Sequence, residues 1–131
     1  MRTIKFRGKR LLSEDWEYGN LIQRPCGGSF IETGDMRLCP MQDFSIGQFT
    51  GLRDKNGKEI YEGDIVRFPT LAHKNKYRIG YIGFHQLSAS FRIVTKTSDL
   101  RLGNRYGVPE MTIDVIGNIH DNPELLKQNH E

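Results

Sequence analysis

Long apolar runs are missing from this 131-residue chain, and with them any segment of the roughly 18 residues that a membrane-spanning helix needs. Its first residues, Met1-Arg2-Thr3-Ile4-Lys5-Phe6-Arg7, lack the apolar stretch of a secretory signal. A cytoplasmic protein with no membrane partner is the expectation. Cysteine is scarce: Cys26 and Cys39 stand alone, with twelve residues between them. That spacing excludes a CxxC zinc or redox pair and favours two reduced structural thiols. His73, His85, His120 and His130 are scattered, and no two are placed to present metal ligands from one helix face. No metal and no organic cofactor is therefore expected. The chain also lacks a GxSxG elbow, an HExxH pair and a phosphate-cradling glycine loop before a helix. No catalytic residue is assigned, and the chain is not expected to be an enzyme.

Turn-forming residues are plentiful. Fourteen glycines, with 37% apolar and 27% charged residues, describe a modest core under a well-solvated surface, long enough to fold without disulfide or metal. Net charge is +3, but its distribution is uneven. Residues 1–10 carry five basic side chains and no acid; 11–69 carry six basic and ten acidic; 70–109 carry seven basic and one acidic; 110–131 carry one basic and five acidic. Such segmentation fits an anionic partner, a solvated face or an oligomer contact.

Before Gly63 the pattern is irregular but mostly extended, with period-two alternation at its start, and after Gly47 the strand signal strengthens. Ile4 to Arg7 is a first strand, with Gly8-Lys9-Arg10 as its turn. Trp16 to Gln23 and Ser29 to Glu32 follow, separated by the loop Arg24-Pro25-Cys26-Gly27-Gly28. Met36 to Phe44 reads as a loop with at most one short element, because Pro40 opposes both a helix and a central strand. Gln48-Phe49-Thr50 and Glu59-Ile60-Tyr61 flank Asn56-Gly57, a pair suited to a type I′ hairpin turn. Asp64 to Phe68, Tyr77 to His85, Phe91 to Thr97 and Thr112 to Ile119 complete the strands, with basic loops at 70–76 and 99–109. Asn122-Pro123-Glu124 should open a short helix with Asn122 as its N-cap, and Leu125 and Leu126 should close an open end of the sheet. The fold class is thus mainly β with minor α: an N-terminal β-rich region over 1–47, and over 48–131 a small, strongly bent barrel with a terminal helix.

Two stretches carry a family resemblance. The segment Gln48-Phe49-Thr50-Gly51-Leu52-Arg53-Asp54-Lys55-Asn56-Gly57-Lys58-Glu59-Ile60-Tyr61-Glu62-Gly63-Asp64-Ile65-Val66 and the segment Ile116 to Leu126 resemble the YopX family of bacteriophage and prophage proteins. The opening Arg2 to Gly8 is similar to that family's N-terminus. The resemblance implies an SH3-like barrel in the C-terminal region, with Glu62-Gly63-Asp64-Ile65-Val66 leading into its first strand, and a bacterial host cell. It implies no reaction, because the family has none assigned.

Three chemical readings compete. Asp54, Glu59, Glu62 and Asp64 form the nearest approach to a metal-binding carboxylate cluster, but EF-hand spacing is absent and Asp54, Asn56 and Gly57 are what a turn selects anyway. The second reading is nucleic-acid binding, through Lys74, Lys76, Arg78, Arg92, Lys96, Arg101 and Arg105, interleaved with Tyr77, Phe91 and Tyr106. Small barrels use such faces, cations meeting phosphates and rings stacking on bases. Against it, outward-pointing cations are also what a strand with one buried face displays, with Tyr77 and Phe91 in the core. The third is a homo-oligomer or a complex with an unidentified protein, the acidic segments meeting the basic one. A phage-encoded accessory protein acting by binding or self-assembly is the leading expectation, and a nucleic-acid-binding barrel the alternative.

Overall fold

The computed structural model describes residues 2–70, 75–103 and 107–128, and the chain divides after Gly51 into two compact units. No helix among the described residues is long and apolar enough to cross a membrane.

In the first unit β1 (Phe6–Lys9), β2 (Trp16–Gln23), β3 (Ser29–Glu32), β4 (Leu38–Pro40) and the start of β5 (Gly47–Arg53) form an antiparallel sheet in the order β4-β3-β2-β1-β5. Ile31, Cys39 and Met41 are its buried cluster, with Phe6, Leu21 and Ile46 packed around them. The expected turn at Gly8-Lys9-Arg10 is corrected: Gly8 and Lys9 belong to β1. Gly8 is there for close packing, since a Cβ at that position would stand 3.1 Å from Met41 Sδ. The chain turns later, where Arg10 N–H donates to the Asp15 carbonyl at 2.9 Å. Met36 to Phe44 holds two elements rather than at most one, β4 and a 3-10 turn at Asp43–Ser45. Pro40 is tolerated in β4 because that strand ends the sheet order, where a missing donor costs no ladder bond.

The second unit opens with the end of β5 and its hairpin partner β6 (Glu59–Tyr61), followed by β7 (Asp64–Pro69), β8 (Tyr77–His85), β9 (Ser90–Val94), β10 (Asp99–Arg101) and β11 (Asp114–Asn118). The last five form an antiparallel sheet in the order β10-β9-β8-β7-β11, so the final strand returns beside the first. Among the described residues no pairing joins β10 to β11. Its inner face carries Val66, Phe68, Ile82, Ile93 and Val115, capped by Ile60 of β6 and by Ile113.

The hairpin turn is also corrected. A type I′ turn needs positive φ at both Asn56 and Gly57; of the two only Gly57 has it, at +82°. Gly57 N–H donates to the Asp54 carbonyl and Asp54 N–H to the Lys58 carbonyl, at 3.0 and 2.8 Å. This is the longer hairpin loop, a type I turn closed by a left-handed glycine. Three further boundaries move. The strand expected over Phe91 to Thr97 is Ser90–Val94, and the basic loop 99–109 begins with β10. The last strand is preceded by a 3-10 turn at Glu110–Thr112.

A bulge at Ile116 then lets Val115 pair with Val66 on the inner face and Gly117 pair with Ile65 on the outer one. The terminal helix is a 3-10 helix, Pro123–Gln128, packed against β8. Asn122 does not act as the expected side-chain N-cap: its Oδ1 accepts the Asn118 N–H at 3.2 Å. A Cβ on Gly117 would lie 2.6 Å from that oxygen and 2.9 Å from Leu125 Cδ1, so the helix settles on a site that only glycine leaves open.

Candidate functional site

The carboxylates that resemble a metal cluster in sequence are dispersed into separate tasks. Asp54 is buried, and its Oδ1 accepts the N–H groups of Asn56 and Lys58, both at 2.9 Å, while Oδ2 accepts that of Val115 at 3.0 Å. Burial alone pushes this carboxyl up. The three backbone donors, from Val115, Lys58 and Asn56, with the Lys58 charge, outweigh it and hold the group below the usual aspartate value. Asp64, also buried, accepts the Tyr61 N–H at 2.7 Å. Glu59 meets Arg53 and the Tyr61 hydroxyl. Among the described residues no three His, Cys, Asp or Glu side chains converge on a metal position.

The basic residues of 1–10 are largely matched within the first unit. Lys9 pairs with Glu14, and Arg10 Nε lies 3.2 Å from Glu17. The Arg7 guanidinium stacks over the Trp16 ring at 4.8 Å. Beside them, a groove runs between the turn Arg10–Ser13 and β4, floored by Cys39, whose Sγ accepts from Arg10 Nη2 at 3.5 Å.

Register sorts the cations of the basic segment by face, because paired residues on neighbouring strands share one side of the sheet. Arg78 pairs with Phe68 and therefore belongs to the inner face. Its guanidinium lies 5.8 Å from the Phe68 ring centroid and donates to the hydroxyls of Thr95, Thr97 and Ser98. Phe91 is inner too, packed on the core and edge-on to Phe84. Lys76 and Lys96 are exposed, outside the strands at the ends of β8 and β9. Lys74, Arg105 and Tyr106 lie outside the described residues. The single stripe of seven cations is thus not one face.

What the sheet does bring together is a pair the linear sequence hides. Arg92 and Arg101 are direct cross-strand partners, and Arg92 pairs in turn with Gly83. On the same outer face His85 pairs with Ser90. Arg92 Nε donates to Ser90 Oγ and Nη2 to Ser88 Oγ, both at 3.1 Å. The two hydroxyls are 2.7 Å apart, and Ser88 N–H donates to His85 Nδ1 at 3.2 Å. The Arg101 side chain is exposed and has no hydrogen bond or ion pair with another described residue. One row further along, Tyr81 pairs with Val94 and Ile79 with Arg67, which is held by Asp114 at 2.9 Å. Tyr77 ends the row, half exposed, with the Arg67 guanidinium 5.5 Å from its ring. The serines and His85 were not singled out in the sequence; the signal that could have found them is the strand parity of 83, 85, 90 and 92 across a tight hairpin.

A family model described as "YopX protein" matches residues 5–127. No curated protein gives a significant match. Among solved structures, the crystal structure of protein EF1440 from Enterococcus faecalis is similar, with 24% identity over 96% of this chain and 99% of that one and a TM-score of 0.56. At that identity the likeness bears on fold alone. The family match spans nearly the whole described chain, from the N-terminal sheet to the terminal helix, and the protein belongs to the YopX family.

Proposed function

We propose that the protein is a non-enzymatic, phage- or prophage-encoded accessory protein of the bacterial cytoplasm, which works by binding or self-assembly through the outer face of its C-terminal sheet. The observation that carries this reading is the composition of that face. Tyr77, Ile79, Tyr81 and Val94 form an apolar, aromatic strip along β8 and β9, bordered by Arg67 on one side and by Arg92 and Arg101 on the other. Aromatic residues with arginines at their margin are the make-up of contact surfaces and of their energetic centres. The carboxylates most suggestive of chemistry, Asp54 and Asp64, are meanwhile occupied by backbone donors.

Sedimentation velocity over a concentration series tests the self-assembly form of this reading. The wild type should associate as concentration rises, and the double variant Tyr77→Ser, Ile79→Ser should not. A wild type that stays monomeric throughout, or a variant that associates equally well, would overturn assembly through this face. The nucleic-acid reading is favoured by one specific feature, the juxtaposition of Arg92 and Arg101.

A further inference from the structure

Resting on the reading of the outer face as a contact surface, we propose that its β8–β9–β10 end, built from His85, Ser88, Ser90, Arg92 and Arg101, is a site for phosphate groups presented by single-stranded nucleic acid. Like charges placed directly opposite on neighbouring strands repel, and Arg92 faces Arg101 in register. An anion between or above the two guanidinium groups relieves that repulsion and accepts their hydrogen bonds, the pairing at which arginine excels.

The neighbouring groups suit the same ligand. Ser88 and Ser90 hold Arg92 through Nε and Nη2, which fixes the fork and reduces the entropy lost on binding. Because His85 Nδ1 accepts the Ser88 N–H, the neutral ring carries its proton on Nε2, one more donor and no negative charge. The only acid of the 70–109 segment, Asp99, sits one row away, opposite Val94.

A single strand rather than a free anion is indicated by what lies beside the arginines. A Cβ on Gly83 would come 3.6 Å from Tyr81 Cε2, so the Tyr81 ring lies along Gly83, the residue paired with Arg92. Ring and guanidinium pair thus adjoin on one face, the combination that holds bases by stacking and backbone by charge.

Fluorescence anisotropy of a labelled oligothymidine, titrated with the full chain across a salt series, tests this. The wild type should bind with affinity falling steeply with salt, and Arg92→Gln with Arg101→Gln should lower the slope of log K against log salt by about 1.4, at about 0.7 per phosphate on a single strand. Arg101→Gln alone, at an exposed position, should give about half that change and guards against misfolding of the double variant. Arg53→Gln, outside the sheet face, should leave the slope unchanged. No binding by the wild type at low salt overturns the proposal, as does an unaltered slope in the double variant. Binding of inorganic phosphate without binding of the oligonucleotide would also overturn it, identifying a small-anion site instead. Loss of self-association in the Tyr77, Ile79 variant with no oligonucleotide binding by the wild type would leave the contact face standing and remove the phosphate site alone.

Discussion

The carboxylate of Asp54 ties the β5–β6 hairpin to the last strand of the chain: its Oδ2 accepts the Val115 N–H at 3.0 Å, across 61 residues of sequence. Its other oxygen closes the hairpin loop by accepting from Asn56 and Lys58. One side chain thus sets a local turn and a long-range strand position together.

Removing it should be costly. Asp54→Ala leaves three backbone donors without their charged acceptor, and at about 1.5–3 kcal/mol for one such bond the expected loss is at least about 3 kcal/mol. Chemical denaturation measures it. A loss under about 1 kcal/mol would mean that the loop and β11 are held by other contacts.

The same group gives the protein an acid sensitivity of definite sign. The folded-state value of Asp54 is depressed, so the folded chain binds fewer protons at this site than the unfolded one. Its contribution is complete well above the unfolded aspartate value of about 3.9 and is lost as pH falls through that value towards the folded one. Stability should therefore drop on acidification below about pH 5, and Asp54→Asn should flatten that part of the profile. An equally steep profile in the variant would contradict the assignment.

Gly57 supplies a conformational test free of packing. A Cβ there would meet nothing within 4 Å, yet φ is +82°. Gly57→Val should cost about 1–2 kcal/mol through backbone strain, whereas Gly57→Asn should cost clearly less, since asparagine visits the left-handed region. Equal melting points for the two variants would show that the loop rearranges.

The terminal helix should be a docked element. Deleting 122–131 removes the half-buried Leu125 and Leu126 and the Asn122 acceptor of the Asn118 N–H. The expected loss is about 1–3 kcal/mol from uncovered apolar surface. Gly117→Ala should act in the same direction by displacing Asn122 and Leu125. Unchanged thermal stability in both would place the helix off the sheet.

The two cysteines should differ in reactivity. Cys26 is exposed and Cys39 buried, both as free thiols, so a thiol reagent should modify Cys26 in the folded protein and Cys39 only after unfolding. Mass spectrometry after native labelling decides this, and double labelling of the folded chain would contradict the burial.

Strands rich in aromatic and branched residues between glycine-bearing turns were legible in the sequence: β2, β3, β6 and β8 lie where it puts them. The misreadings share a physical cause. Gly8 has the composition of a turn but answers to Met41, thirty-three residues away, and Pro40 is acceptable only because β4 ends the sheet order. Asn56-Gly57 satisfies two hairpin loops equally well, and the one adopted is chosen by Asp54 and its acceptance of three N–H groups. The candidate site was half legible. Its arginines stood out by charge, but which of them share a face depends on register: Arg78, fourteen residues before Arg92, lies on the opposite side, while Arg101 lies directly beside Arg92.

Amide chemical-shift mapping of the isotopically labelled protein, on addition of oligothymidine at low salt, tests the phosphate site on the outer face most directly. The account predicts that the largest changes fall between Tyr81 and Arg101, centred on Gly83, Ser90, Arg92 and Arg101. Changes confined to the unit Met1–Gly51, or none under conditions of saturating oligonucleotide, would contradict it.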